Sequence, residues 1–510
     1  MEAQKWSGRR WLVGLIVVVV LTLVAWFALA RMHGKVQVAG AGTVPKAECG
    51  PNDRTESVQG QTTMAERFAP GPSNAYNCNL ELVGQYAGEG SAFGMEAYGD
   101  VVYMTTWPHA DNPNPGVTVL DVSDSSAPKV TAYLDSKGML HANESLTVNP
   151  ARKLLMGAAM PTPTFDLYDI STPLTPKLLS STEIPTMMSH LGEFTPDGMV
   201  YLSAIIKANP KDGPQSPSTG LIAIDTSDPA HLKPLNTWLP ENKDWQTHAL
   251  RLSPDGKRAY VAMLQVMDDQ PGKKSPNPNG LAIFDTSDFV TGKPNPQFRL
   301  ISTLYWDDTH FSQDATPIMI GGKPFIAFTD VSAAIGWEKT PPVANACASG
   351  KPGRGFARLI DISDEKNPKT ASKLMMEVAT PANCERTRLD PVIGYGYGAQ
   401  ACVADNPLDA KMLACGHGES GLRVFDIRDP SHPRELAYYK PPATRTAPRR
   451  AAPNLEFLSH AKDHTADQVI IPRFRKSGRE IWFNSFDNGF QVVRFSDAFI
   501  AAHKDLFPGQ

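Results

Sequence analysis

The chain is poor in the features that announce a chemistry. Its 510 residues carry 49 Lys and Arg against 53 Asp and Glu, a formal net charge of −4, so no basic excess points to nucleic acid. Six cysteines occur, none in a CxxC pair, which argues against a thiolate metal site. No serine-hydrolase elbow is present, because Gly418-Glu-Ser-Gly421 lacks the spacing. The Gly394-Tyr-Gly-Tyr-Gly398 run has neither the fingerprint nor the flanking strand and helix of a dinucleotide site. His460 and His464 have the HxxxH spacing of a metalloprotease without its following Glu, and the basic stretch Arg445 to Arg450 reads as a solvated Pro-rich loop. Long apolar runs are also scarce.

There is one such run. Trp11 to Ala30 forms twenty uninterrupted apolar residues, enough to cross the hydrocarbon layer as a helix. Lys5, Arg9 and Arg10 precede it, which predicts residues 1–10 as a cytoplasmic tail, 11–30 as an inner-membrane anchor, and a body in the periplasm or outside the cell. Ala28-Leu-Ala30 also fits the small-residue pattern of a cleaved signal peptide. The membrane is therefore an expected partner through residues 11–30. Residues 31–79 show little periodicity and read as a stalk or linker.

Beyond the stalk the chain repeats itself. Seven times a short β run ends in Asp-Xaa-Ser/Thr-Asp or a relative: Val117 to Asp121, Phe165 to Asp169, Leu221 to Asp225, Leu281 to Asp285, Ala357 to Asp361, Leu422 to Asp426, and Phe490 to Arg494. A β-rich period of this length means a propeller or related array. The 44 prolines and 39 glycines suit many short strands joined by turns. The last repeat lacks a fourth strand, whereas Leu80 to Tyr86 looks like an orphan outer strand, so the two should pair and close a ring. The expected fold is all-β, a seven-bladed β-propeller over residues 80–500 with an N-terminal transmembrane helix and stalk, and residues 501–510 as a tail. The turn aspartates need no ligand, since an Asp at a strand end accepts hydrogen bonds from the following amides.

The strands Leu221-Ile-Ala-Ile-Asp225 and Leu422-Arg-Val-Phe-Asp426 resemble the LVIVD-repeat family, over about residues 80–497. That resemblance implies a β-propeller of the kind found on bacterial exported or surface proteins. It brings no agreed catalytic residues.

Six cysteines in an exported body are most simply three disulfides. Cys402 and Cys415 flank Asn406-Pro-Leu-Asp409 as if on two arms of one hairpin. Cys49 with Cys78 and Cys347 with Cys384 would then staple the irregular segments.

Histidine carries the functional expectation. His141, His190, His248 and His310 each stand just before or at the start of the innermost strand of successive repeats. Convergent imidazoles at one mouth of the channel suit Cu, Fe or Zn, with Glu96, Glu144 and Glu193 as acceptors for the distal ring nitrogens. A structural histidine copied by repetition would give the same pattern. Long insertions between second and third strands should overhang this face and offer Trp107, His109, Trp245, Trp306, Trp337 and His417 as a rim for a small-molecule or protein ligand. Two functions follow: a metal-dependent oxidoreductase, or a non-catalytic propeller that binds a protein, glycan or small ligand.

Overall fold

The computed structural model describes residues 42–63, 65–66, 75–106, 112–159, 163–184, 188–206, 219–241, 245–265, 279–332, 340–387, 396–442 and 467–507. The apolar run 11–30, Trp107, His109, Trp337, His460, His464 and most of the long insertions lie outside these residues. Among the described residues no helix is long and apolar enough to cross a membrane.

The protein is an all-β propeller. Its described strands form six hydrogen-bonded sheets, and the eight-stranded one is two antiparallel four-stranded units joined by a single parallel pairing, Leu191 with Ala249. In chain order the units begin with the strands Met95–Tyr98, Thr147–Asn149, Met188–Phe194, Trp245–Leu252, His310–Ile320, Cys402–Ala404 and Val469–Arg475. They are called units one to seven below. In each of the first six units the third strand ends at the repeated Asp: Asp121, Asp169, Asp225, Asp285, Asp361 and Asp426. Each of these carboxylates accepts from the amide two residues on, at 2.7 to 3.1 Å. The repeat is thus a turn device, as its chemistry requires.

Hydrophobic clusters lie between the sheets. Leu155 and Tyr168 of unit two pack with Val119 of unit one, Phe165 with Tyr201 of unit three, and Val261 with Leu202 across units three and four. Ile283 meets Phe328, Leu359 meets Phe425, and Val424 meets Phe483, which continues the series to unit seven. Trp482 and Phe490 of unit seven then pack with Met95 and Val102 of unit one. Fully burying each such side chain contributes about 1.5 to 3 kcal/mol. The clusters return to where they began.

Unit seven is completed by the N-terminal strand. Leu80–Tyr86 pairs antiparallel with Gly489–Phe495, Leu80 opposite Phe495 and Tyr86 opposite Phe490. The expected pairing is present, and it removes an exposed edge.

Two boundaries differ from expectation. Residues 42–63 are no stalk: Val44 is buried in the cluster between units five and six, and Val58, Gln59, Gln61 and Thr62 are buried as well. Tyr76–Cys78 adds a fifth strand to unit six through Arg434–Lys440. The weak periodicity of this segment reflects polar anchoring, chiefly Glu56 and Gln59 against Arg423 and Glu435. Nor do residues 501–507 trail free, since Asp497–Ala502 is helical and Leu506 and Phe507 are buried beside Phe495. Ser496 caps that helix by accepting from the Phe499 amide.

All three expected disulfides are present: Cys49–Cys78, Cys347–Cys384 and Cys402–Cys415, with Cα separations of 4.9, 5.6 and 4.1 Å. Cys402 and Cys415 are directly opposed in the first hairpin of unit six. Three disulfides and no free cysteine mark an oxidising, extracytoplasmic environment.

Candidate metal centre

The pairing register decides which residues reach the centre. From each turn residue, crossing two strand pairings leads to the end of the first strand: Tyr98, Asn149, Thr195, Ser253, Ile318, Asp405 and Arg475. Five residues earlier stand Phe93, Glu144, His190, His248, Gln313, Gln400 and Ile470. These seven positions are equivalent. Phe93, Glu144, Gln313, Gln400 and Ile470 line a narrow cavity with Leu191, Arg251, Asp314, Ala401 and Ile471, so every unit contributes to it.

Local irregularity aims the side chains inward. The first strands of units three, four, five and seven all slip register at this level, between Ser189 and Gly192, Thr247 and Leu250, Ser312 and Asp314, and Val469 and Pro472. A bulge re-aims a side chain and bends its strand. His190, His248 and Gln313 lie within these slips. Phe311, just ahead, takes left-handed backbone with φ 61°.

Four of the seven positions contact in sequence. Ligand atoms of Glu144, His190 and His248 all lie within 4.8 Å of one another, and all three residues are buried. The His190 and His248 ring centroids are 4.0 Å apart, and His190 Nδ1 lies 3.9 Å from Glu144 Oε2. Gln313 closes the group: its Nε2 donates to Glu144 Oε2 at 2.7 Å, and its main-chain oxygen lies 3.0 Å from His248 Nδ1. A carbonyl only accepts, so His248 Nδ1 carries the proton and Nε2 keeps a lone pair. His190 Nδ1 is buried without a hydrogen-bond partner.

Burial sets the charge. It pushes the Glu144 carboxyl up to about 8, with the nearby Asp314 carboxylate adding to the shift and the Gln313 amide opposing it. Burial also holds His190 well below its usual value, with His248 contributing, and brings His248 to about 4. Neutral imidazoles with available lone pairs are what a metal requires.

A charged layer stands beside this one: Glu96, Glu193, Arg251 and Arg473 lie three residues further along their strands, and Asp314 directly follows Gln313. Arg251 binds Asp314 through Nε and Nη2, both at 2.8 Å, and reaches Glu193 at 3.1 Å, while the Leu252 amide donates to Glu193 at 2.8 Å. Arg473 of unit seven donates to Glu96 of unit one at 2.6 Å. Glu96 and Glu193, expected behind the imidazoles, are therefore engaged by arginines. Their carboxylates knit neighbouring units together.

Other expected residues fall elsewhere. His141 and His310 do not belong to the Glu144–His190–His248 group. Each stands three residues ahead of the equivalent position, which Glu144 and Gln313 fill. His141 ends a single 3-10 turn, Met139–His141, and is partly buried. His310 is buried opposite Ser332, with burial lowering its pKa to about 4. Glu144 moves from supporting acceptor to candidate ligand.

The aromatic rim is also revised. Trp306 packs edge-on to Phe328 and lies 4.1 Å under the Arg358 guanidinium, and Trp245 packs with Trp238 and Tyr305. Both serve the sheet packing. His417 is wholly buried in unit six, and burial, then Arg423, lowers its pKa to about 3. It is no rim residue. Neither Gln313 nor Gln400 was given a role, although counting six back from the inner turns at Pro150, Pro196 and Pro254 puts Glu144, His190 and His248 in one row.

No family model matches the chain, so the LVIVD-repeat likeness rests on its strands and turns. No curated protein matches its sequence. Among solved structures, a hydrazine synthase of Kuenenia stuttgartiensis is similar at 13% identity and a TM-score of 0.49, covering 81% of this chain and 97% of that one. That likeness is too remote to carry substrate or cofactor across.

Proposed function

We propose that this chain is a metal-dependent oxidoreductase of the bacterial envelope, a seven-bladed propeller anchored through residues 11–30 with its body in the periplasm or outside the cell. One observation carries the reading: two neutral imidazoles and one carboxyl, all buried, hold equivalent positions with their donor atoms within 4.8 Å of one another. Two histidines and one carboxylate suit non-haem Fe(II), and the same set serves catalytic Zn, with Cu as a further imidazole-binding ion. Three protein ligands leave coordination positions for a small-molecule substrate. The unpartnered His190 Nδ1 supports this, since a buried polar atom without a partner costs about 1 to 3 kcal/mol. Seven inter-sheet clusters, the last joining unit seven to unit one, support the blade count. The balanced charge favours no nucleic acid.

The test is metal content by elemental mass spectrometry, on protein from an exporting host and on apo protein reloaded with Fe(II), Cu(II) or Zn(II). One ion per chain is expected. His190→Ala, His248→Ala and Glu144→Gln should lose it, whereas His141→Ala and His310→Ala should keep it. Retention by all three of the first group removes the metal reading, and a non-catalytic propeller binding through its loop face takes its place.

A further inference from the structure

Solvent reaches the axis from one side of the cluster. At the seven equivalent axial positions, from Phe93 in unit one to Ile470 in unit seven, every residue is buried. Three places further along each strand, towards its first hairpin turn, stand Glu96, Thr147, Glu193, Arg251, Thr316, Val403 and Arg473, and every one is partly exposed. The side chains of Glu96, Glu193, Arg251 and Arg473 keep 20%, 27%, 15% and 17% of their surface. Three places the other way, among the described residues, Gly90, His310, Tyr397 and Asp467 are buried, and His141 and Trp245 are partly exposed. Residues 58–62 cover that side at unit six, where Ser420 Oγ donates to the Gly60 oxygen at 2.7 Å and Thr62 Oγ1 to the Glu419 oxygen at 2.6 Å. The side open all the way round is therefore the face of the short hairpin turns.

Charge marks the same mouth. Arg473 is matched by Glu96, whereas Arg251 holds two carboxylates, Asp314 and Glu193. Three carboxylates against two guanidiniums leave a net charge of −1, and the surplus falls in units three to five, beside His190 and His248. A cleft with an excess of one sign of charge concentrates the opposite ion and raises its on-rate. Glu193 is the most exposed of the three carboxylates, and it stands on the strand that carries His190, three residues or about 10 Å away along an extended chain.

We propose that a divalent cation reaches the axial cluster from the face of the short turns, with Glu193 and Glu96 as its entry residues. This rests on the reading of Glu144, His190 and His248 as the metal site and adds how that site is loaded. The carboxylates draw the ion to the mouth, and Arg251, which also lines the cavity at the cluster, stands across its path. Both acids act on the arrival of the ion. They set a rate and leave the amount bound at equilibrium unaltered.

The probe is Co(II), mixed by stopped flow with the metal-stripped full chain and followed by the visible absorbance of the bound ion, at low and at high salt. Glu193→Gln, which keeps the shape and removes the charge, should slow uptake about threefold or more at low salt, and adding Glu96→Gln should slow it further. Arg473→Gln should speed it by a similar factor. Both effects should shrink at high salt, where screening leaves a reach of only a few ångströms. Asp307, whose side chain is 84% exposed, precedes the first strand of unit five and so lies on the opposite face; Asp307→Asn removes the same charge there and should leave the rate unchanged. Opposite shifts from opposite charge changes do not come from loosened packing. One bound ion whose uptake Glu193→Gln and Arg473→Gln leave unchanged, or move in the same direction, overturns the route, as does slowing by Asp307→Asn alone. Wild type that binds no Co(II) at equilibrium retires the metal site and the route together, so bound ion and rate tell the two failures apart.

Discussion

Replacing Arg423 with Met should release the N-terminal segment from the propeller. Arg423 is wholly buried; its guanidinium binds Glu56 at 2.6 and 2.9 Å and Glu435 at 3.0 Å, and lies 4.5 Å from the Tyr438 ring centroid. Both carboxylates are themselves buried, with side-chain exposures of 5% and 1%. Removing one member of a buried ionic group costs about 3 to 5 kcal/mol, because the remaining charge has no compensation. Here two carboxylates would be left facing each other, and the Gln59 amide that binds Glu435 at 2.9 Å cannot neutralise them. The cost should therefore fall at the upper end of that range.

Urea denaturation of the full chain gives the total, and hydrogen exchange locates it. Amides of residues 56–61 should lose protection first, since Glu56, Gln59 and Gly60 are held to unit six by this cluster and by Ser420, whose hydroxyl donates to the Gly60 oxygen at 2.7 Å. Adding Glu56→Gln to Arg423→Met removes one stranded charge and should recover about 1 to 3 kcal/mol as a coupling energy. A single-variant cost below about 1 kcal/mol, or a double variant whose losses simply add, refutes the argument that this ion group fastens residues 42–63.

Two further outcomes follow from buried features. Deleting the Cys402–Cys415 bridge as a double Ala variant, which opens a loop of 13 residues, should cost about 3 kcal/mol, and deleting Cys347–Cys384, which spans 37, about 4 kcal/mol; chemical denaturation that ranks them the other way contradicts the loop-entropy account. Asp330 is wholly buried, and burial raises its pKa to about 6 against the pull of Arg358. A raised folded pKa means that its contribution is fully present below about pH 3.8 and is lost as pH rises through about 6. Asp330→Asn should therefore gain on wild type in melting temperature between pH 4.5 and 7.5, and a gap that does not move with pH sinks the assignment.

The repeat was legible because its cause is local. An Asp at the end of a strand binds the amide two residues on wherever it occurs, and six of the seven copies do so here. Arg494 breaks the pattern, and there the guanidinium reaches Asp497 instead, at 2.7 Å. Ring closure was legible for a similar reason, since one strand was missing and one was spare. The axial cluster was half legible. His190 and His248 were read correctly as partners because Pro196 and Pro254 close their hairpins at the same distance. His141 and His310 misled because the eye aligned like residues, whereas the sheet aligns positions. A one-residue error already turns a side chain to the other face, and the error here was three. Gln313 was assigned no role because an amide gains one only from the partners the fold brings it, here Glu144 and His248.

Closure by Leu80–Tyr86 orders events in time as well as space. This strand is among the first parts of the body to be made and among the last to be used, because its partner Gly489–Phe495 lies some four hundred residues downstream. Until that partner is synthesised, the open edge of an otherwise finished array is available to any other strand. A nascent chain of six units is thus the most aggregation-exposed species this protein passes through, and its rescue depends on keeping one seven-residue segment unpaired until the end.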